Sequence, residues 1–167
     1  MDMSAPLVLH RETVRPEWID YNGHMNVAYY VLIFDHATDA FLDHVGLDAD
    51  HRAAAGGSTF AVESHVTYQR EVGEGEDVMV TTQLLDFDSK RIHFFHRMLH
   101  EPAGVLAATC EWLCLYVDLN TRRVAAMPSA IRANLEAVHA AHAVLDRPVE
   151  AGRTIRIPRT SPVDSKS

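Results

Sequence analysis

The chain has 167 residues, is 47% hydrophobic and carries a formal net charge of −8. That length suits one domain with a substantial core, and the acidic balance excludes a nucleic-acid surface, which needs a basic footprint. No apolar run approaches the roughly 18 residues of a membrane span, and the opening Met-Asp-Met-Ser-Ala-Pro has neither the basic nor the apolar region of a secretory signal.

Leu7 to Val14 alternates apolar and polar residues well enough for a first strand, which Pro16 ends. The turn Trp18-Ile19-Asp20-Tyr21-Asn22-Gly23-His24-Met25-Asn26 follows. A helix is predicted from Asn26 to Val45, because Val27, Val31, Phe34, Thr38, Phe41 and Val45 recur in steps of four and three. Asn26 is a fair N-cap and Gly46 a good stop. The first half of this helix, Val27 to Phe34, is apolar almost all round, which predicts burial on several sides. Residues 47–58 read as a loop with a broken helical turn.

Four strand-like runs come next, at residues 59–71, 78–87, 91–99 and 105–117, separated by Gly-, Asp- and Pro-bearing turns. Asp88-Ser89 is a two-residue hairpin candidate. The last run is apolar nearly throughout and so predicts a central strand. Short turns between consecutive strands imply an antiparallel meander. A final helix starts at Met127-Pro128-Ser129 and ends near Ala143. The domain proper is thus expected over residues 1–145. Residues 146–167, rich in Pro, Gly and charge, read as a poorly ordered tail in which Thr154 to Ile157 could add a short strand. One strand, one long helix and a run of strands make an α+β plan, in which the helix must bury its stripe on the only sheet available.

Cys110 and Cys114 fall in one predicted strand, about 13 Å apart, too far for a disulfide. A reducing, cytoplasmic setting is the simplest reading. His93 and His96 would lie on opposite strand faces, and His139 and His142 would share a helix face without a carboxylate or thiol partner, so no metal site is predicted.

The chemistry concentrates in the turn. Amide N–H groups at a helix start carry partial positive charge and lack helical partners. A carbonyl placed there is polarised toward attack, and Asp20 is near enough in sequence to act as nucleophile or base. Gly23 lets the backbone approach closely. Asn22 and His24 could orient a water or hold Asp20.

Asp20, Gly23, His24, Met25, Asn26 and Tyr29 or Tyr30 match the turn signature of the hotdog-fold acyl-CoA thioesterases of the 4-hydroxybenzoyl-CoA thioesterase type, which this chain resembles. Asp20, Asn22, His24 and Asn26 are also similar to a run in plant acyl-ACP thioesterases. Trp18 stands where many members have a second acid, and Val27 where they have a second Asn. The resemblance covers about Leu7 to Ala143. It implies a hotdog fold, with an antiparallel sheet wrapped around a central helix. It also implies hydrolysis of an acyl-CoA thioester, no bound cofactor, and a homodimer or homotetramer with sites at the subunit interface. Asp20 would be the catalytic acid, with Asn22, Gly23, His24 and Met25 completing the centre, the amides near Gly23, His24 and Met25 polarising the carbonyl, and Asn26 beside it. Glu63 and His65, sharing a strand face, could line a partner's site. CoA phosphates would want basic residues, with Arg70, Lys90, Arg91, Arg122 and Arg123 as candidates. The Pro16 to Met25 run further resembles the thioesterases of bacterial carnitine breakdown, found alone or fused to carnitine dehydrogenase. That resemblance implies betainyl-CoA as substrate, with Trp18, Tyr29, Tyr30, Trp112 and Glu63 as possible partners of the quaternary ammonium. Two other readings compete. A hotdog (R)-specific enoyl-CoA hydratase would have Asp and His five apart with an intervening Pro, which this chain lacks. A non-catalytic acyl-CoA-binding regulator would need an attached basic DNA-binding helix pair.

Overall fold

The computed structural model describes residues 5–157. Its strands are β1 (Leu7–Thr13), β2 (Gly57–Tyr68), β3 (Asp77–Phe87), β4 (Arg91–His100), β5 (Val105–Asp118) and the two-residue β6 (Arg123–Val124). Its helices are α1 (Val27–His44), α2 (Ala49–Ala55) and α3 (Ser129–His142). All strand pairings are antiparallel, in the order β1-β3-β4-β5-β2, with β6 beside the end of β5. This is the wrapped-helix plan that the turn signature implied.

α1 begins where Asn26 caps it, its side chain accepting from the Ala28 amide. It ends before Gly46, which turns the chain at φ 88°. Its stripe buries Ile33, Phe34, Ala37, Thr38 and Phe41 against the inner faces of β1, β3, β4 and β5. Phe94, Met98, Cys110 and Trp112 face it from the sheet. The first turn of α1 differs from expectation. Val27 is 56% exposed, and Ala28 is exposed beside it. This end of the helix lies beside edge strand β2, whose Tyr68 hydroxyl reaches Val27 O at 3.5 Å, and its apolar start is left uncovered.

Three local features escape periodicity arguments. α2 is a seven-residue helix with no buried residue, held by an Asp48 cap on His51 and a left-handed Gly56, so no apolar stripe announces it. β6 is too short to pattern. The β3–β4 turn is longer than two residues, because the Asp88 carboxylate accepts from both the Lys90 and Arg91 amides at 2.8 Å. Beyond α3, residues 146–157 contain no helix or strand, including Thr154 to Ile157. Yet Glu150 is buried, and Gly152 N–H donates to Glu111 at 2.7 Å. Residues 158–167 lie outside the described residues. Among the described residues no helix is long and apolar enough to cross a membrane.

Candidate active site

The turn before α1 is a closed loop. Ile19 and Met25 pair as an antiparallel bridge, and Asp20 N–H donates to His24 O at 3.1 Å. Gly23 N–H donates back to Asp20 O at 3.0 Å, with Gly23 at φ 84°, a left-handed conformation that glycine adopts without strain. Met25, fully buried, anchors the loop from below and donates its amide to Val72 O at 2.8 Å. Asn26 N–H donates to Trp18 O at 2.9 Å.

This backbone sets the Asp20 carboxylate beside the helix start. Oδ1 accepts from Asn22 N–H at 2.7 Å, while Oδ2 is reached only by Asn26 Nδ2 at 3.4 Å. One oxygen is therefore committed and the other lightly held. His24 is half-buried, its Nδ1 3.3 Å from Met25 O and its Nε2 3.9 Å from the Glu71 carboxylate.

An inventory of amides refines the expected oxyanion donors. Gly23 and Met25 already spend their N–H groups on Asp20 O and Val72 O, and Ala28 and Tyr29 spend theirs on Asn26. The amides of Tyr21, His24 and Val27 donate to no acceptor among the described residues. Of the expected set, only His24 retains a donor. Val27, at the first position of the helix, joins it.

The aromatic candidates divide. Trp18 is buried, stacked on Tyr29 at 5.3 Å and covered by the Arg15 guanidinium at 4.8 Å. Tyr30 is also buried, and its hydroxyl joins Arg70 O to Val72 N–H. Both hold the loop rather than line a site, because their large apolar bodies fill the base of the turn. Tyr29 is partly exposed. Trp112 lies inside the sheet, its indole N–H without a partner among the described residues. The aromatics that stay accessible here went unsingled in the sequence. Tyr21 is 96% exposed, and Tyr68 reaches Val27 O at 3.5 Å.

The strand register decides the remaining candidates. Tyr68, at the turn, pairs with Ala108, whereas Arg91 pairs with Leu115 and Gly57 with Asp118. Seven residues of β5 separate Ala108 from Leu115, about 23 Å. Arg91, ion-paired to Asp88, and Arg122, over the Phe60 ring at 5.2 Å, thus sit at the opposite end of the sheet from Asp20 within one protomer. Lys90 and Arg123 share that end. Arg70, whose carbonyl receives the Tyr30 hydroxyl, is the basic candidate beside the turn. Glu63 and His65 face away from α1. A bulge at Val62 puts them on the outer side of the sheet, where they line a cavity of about 390 Å³ with His93 and Glu111. One protomer does not bring them to Asp20.

Residues 14–135 match the family model of the thioesterase-like superfamily. The chain belongs to that superfamily. It is 42% identical over 156 residues to a betainyl-CoA thioesterase of Pseudomonas aeruginosa, covering 93% of this chain and 98% of the relative. It is 44% identical over 135 residues to an L-carnitine dehydrogenase/betainyl-CoA thioesterase of Agrobacterium fabrum, a match covering 81% of this chain and 28% of that longer protein. A Staphylococcus aureus protein solved in complex with CoA superposes with a TM-score of 0.84 at 32% identity, covering 92% of this chain and 97% of that one.

The fold is therefore the hotdog, and the enzyme is an acyl-CoA thioesterase. In this thioesterase, Tyr68, Glu71 and Val72 meet the turn before α1 because β2 and the segment after it run back past the start of that helix. The only advance signal was antiparallel pairing, which carries no information about which strand end reaches the helix.

Proposed function

We propose that this thioesterase hydrolyses betainyl-CoA to betaine and CoA, with Asp20 as general base. The observation that carries the mechanism is the unequal holding of the Asp20 carboxylate, one oxygen fixed by Asn22 N–H at 2.7 Å and the other left to a 3.4 Å contact. Asp20 takes a proton from water as the water oxygen attacks the thioester carbon. The oxyanion is stabilised by the His24 and Val27 amides at the helix start. Collapse breaks the carbon–sulfur bond, the CoA thiolate recovers the proton from Asp20, and the acid is released. Asn22 and Asn26 keep the carboxylate aimed, and Gly23 leaves open space above the loop, with no atom within 4 Å of where a Cβ would stand.

The substrate assignment rests on the betainyl-CoA thioesterases at 42% and 44% identity. It is also supported by the surroundings of the turn, where Tyr21 and Tyr68 are exposed aromatic rings and Glu71 is a largely exposed acid. A trimethylammonium group is recognised by such faces and charges.

The working unit is a homodimer or a tetramer built from it. β2 is a twelve-residue edge strand with Phe60, Val62 and Tyr68 exposed, and the uncovered Val27 adjoins it. Long, apolar edges of this kind invite pairing with another strand. A two-fold, antiparallel β2–β2 pairing would bring the Arg122 end of one copy to the Asp20 end of the other, supplying basic residues for the CoA phosphates. The two unpaired cysteines support a reducing, cytoplasmic setting.

The test is CoA release measured with a thiol reagent across betainyl-, 4-hydroxybenzoyl- and straight-chain acyl-CoAs, beside Asp20→Asn. Betainyl-CoA should be preferred, and Asp20→Asn should lower kcat about 10²–10⁴-fold. Equal turnover of neutral short acyl-CoAs would remove the substrate assignment. A single turnover in H₂¹⁸O should put label in the first product molecule, and unlabelled first product would make Asp20 the nucleophile instead.

A further inference from the structure

Away from the turn, two imidazoles and a carboxylate converge on one point. His10 Nε2 lies 3.0 Å from Glu12 Oε2, and His36 Nδ1 lies 2.8 Å from the same oxygen. All three donor atoms fall within 4.8 Å of one another. His10 and Glu12 come from β1, on one face of the strand, and His36 comes from α1. The side chains are 20%, 12% and 36% exposed, so water can reach the cluster without dissolving it.

We propose that His10, Glu12 and His36 form a binding site for a divalent transition-metal ion, zinc above all, that fastens edge strand β1 to α1. Zinc bonds of about 2.0–2.1 Å in a tetrahedron put neighbouring donors about 3.3 Å apart. The separations of 3.0 and 2.8 Å need widen only by a few tenths of an ångström to reach that spacing. Two imidazoles and one carboxylate are a zinc donor set, with the fourth position left to water. The second carboxylate oxygen, Oε1, is held by Arg15 at 3.4 Å. That contact orients the carboxylate and leaves Oε2 for the ion, as an outer partner does at metal sites. Asp35 and Asp39 on α1 flank His36 in sequence, and the chain as a whole carries −8, so the local field favours a cation.

His36 is ten residues along α1 from Asn26, about 15 Å at 1.5 Å per residue. The ion is thus a structural clamp, not a participant in hydrolysis. Sequence spacing alone could not assemble the site, because its third ligand sits on another element.

Full-length protein stripped with a chelator and titrated with zinc by calorimetry tests the proposal, beside His36→Asn, His10→Asn and Glu12→Gln. One ion should bind per wild-type chain, and each variant should weaken binding by more than the roughly 10–100-fold that loss of an outer partner costs. At about a hundredfold excess over Kd, zinc should raise the wild-type Tm by about 5–10 °C and leave the variants unmoved, with CoA release unchanged in all. Far-UV circular dichroism shows whether each variant is folded, and any one that is folded suffices. Equal zinc binding by a folded variant would overturn the site in favour of the other histidines, as would absence of binding to wild type at micromolar zinc.

Discussion

Asn26 links the Asp20 carboxylate to the first turn of α1. Its Oδ1 accepts from Ala28 N–H at 3.0 Å, while its Nδ2 reaches Asp20 Oδ2 at 3.4 Å. Capping and positioning are separable by substitution. Asn26→Asp keeps an acceptor for the cap but sets a like charge against Asp20, so kcat should fall at least about tenfold with Tm nearly unchanged. Asn26→Ala should lose both, with a stability cost of about 1 kcal/mol. Thermal melts beside CoA-release kinetics separate the two outcomes. Wild-type kcat in Asn26→Asp would show that this contact does not position Asp20.

His96 sits at the centre of the core and should make the protein acid-sensitive. It stacks on Phe34 and bonds the Thr38 and Thr82 hydroxyls, each at 3.0 Å. Burial drives its pKa from the usual 6.5 down to about 3. The unfolded chain therefore takes up a proton near pH 6.5 that the folded chain refuses until about pH 3. Stability contributed by the neutral ring is full above that window and lost as pH falls through it, by up to about 1.4 kcal/mol per pH unit. Urea melts of wild type and His96→Gln between pH 7 and 4 should differ in slope by about one proton. Parallel slopes would show that His96 titrates normally.

Gly57 and Tyr116 form a packing pair across β2 and β5. A Cβ on Gly57 would stand only 1.8 Å from the Tyr116 hydroxyl and 2.4 Å from its ring carbon, and that hydroxyl bonds His51 at 2.9 Å. Gly57→Ala must displace the ring and break its tie to α2, at a cost of about 1–3 kcal/mol. Phenylalanine at position 116 keeps the clash, whereas Tyr116→Leu removes it. A double-mutant cycle should accordingly show strong coupling of Gly57→Ala with Tyr116→Leu and weak coupling with Tyr116→Phe. Additivity in both cycles would refute the steric reading.

Cys110 and Cys114 should be silent in the native state. Both are buried. Burial, followed by the nearby Asp35 charge, pushes the Cys114 thiol up to about 12, and burial raises Cys110 further. Almost no thiolate exists at neutral pH. A disulfide reagent should therefore detect close to no thiol in the folded enzyme and two per chain after unfolding. Rapid labelling of the native protein would contradict this packing.

The α1 stripe, the strand alternation and the Asp20 to Asn26 turn were legible because each is a local pattern. Helical period, alternation and a capped turn are written in neighbouring residues. That held for α1 from its Asn26 cap to Gly46 and for the runs that became β1, β3, β4 and β5. Within β2, the bulge at Val62 broke the alternation and carried Glu63 and His65 to the outer face. Which amides remained free, and that Trp18 and Tyr30 are buried while Tyr21 and Tyr68 are not, depended on how segments meet.

The sequence by itself determined the α+β class and the capped turn before α1, since these follow from residue type and short spacing, and its resemblance to the hotdog thioesterases singled out Asp20. Tertiary structure alone decided that Arg91 and Arg122 stand at the far end of the sheet from Asp20, that Val72 anchors the loop, and that His36 joins His10 and Glu12. Those relationships join residues tens of positions apart, and they arise only when strand register and helix packing bring distant segments to one place.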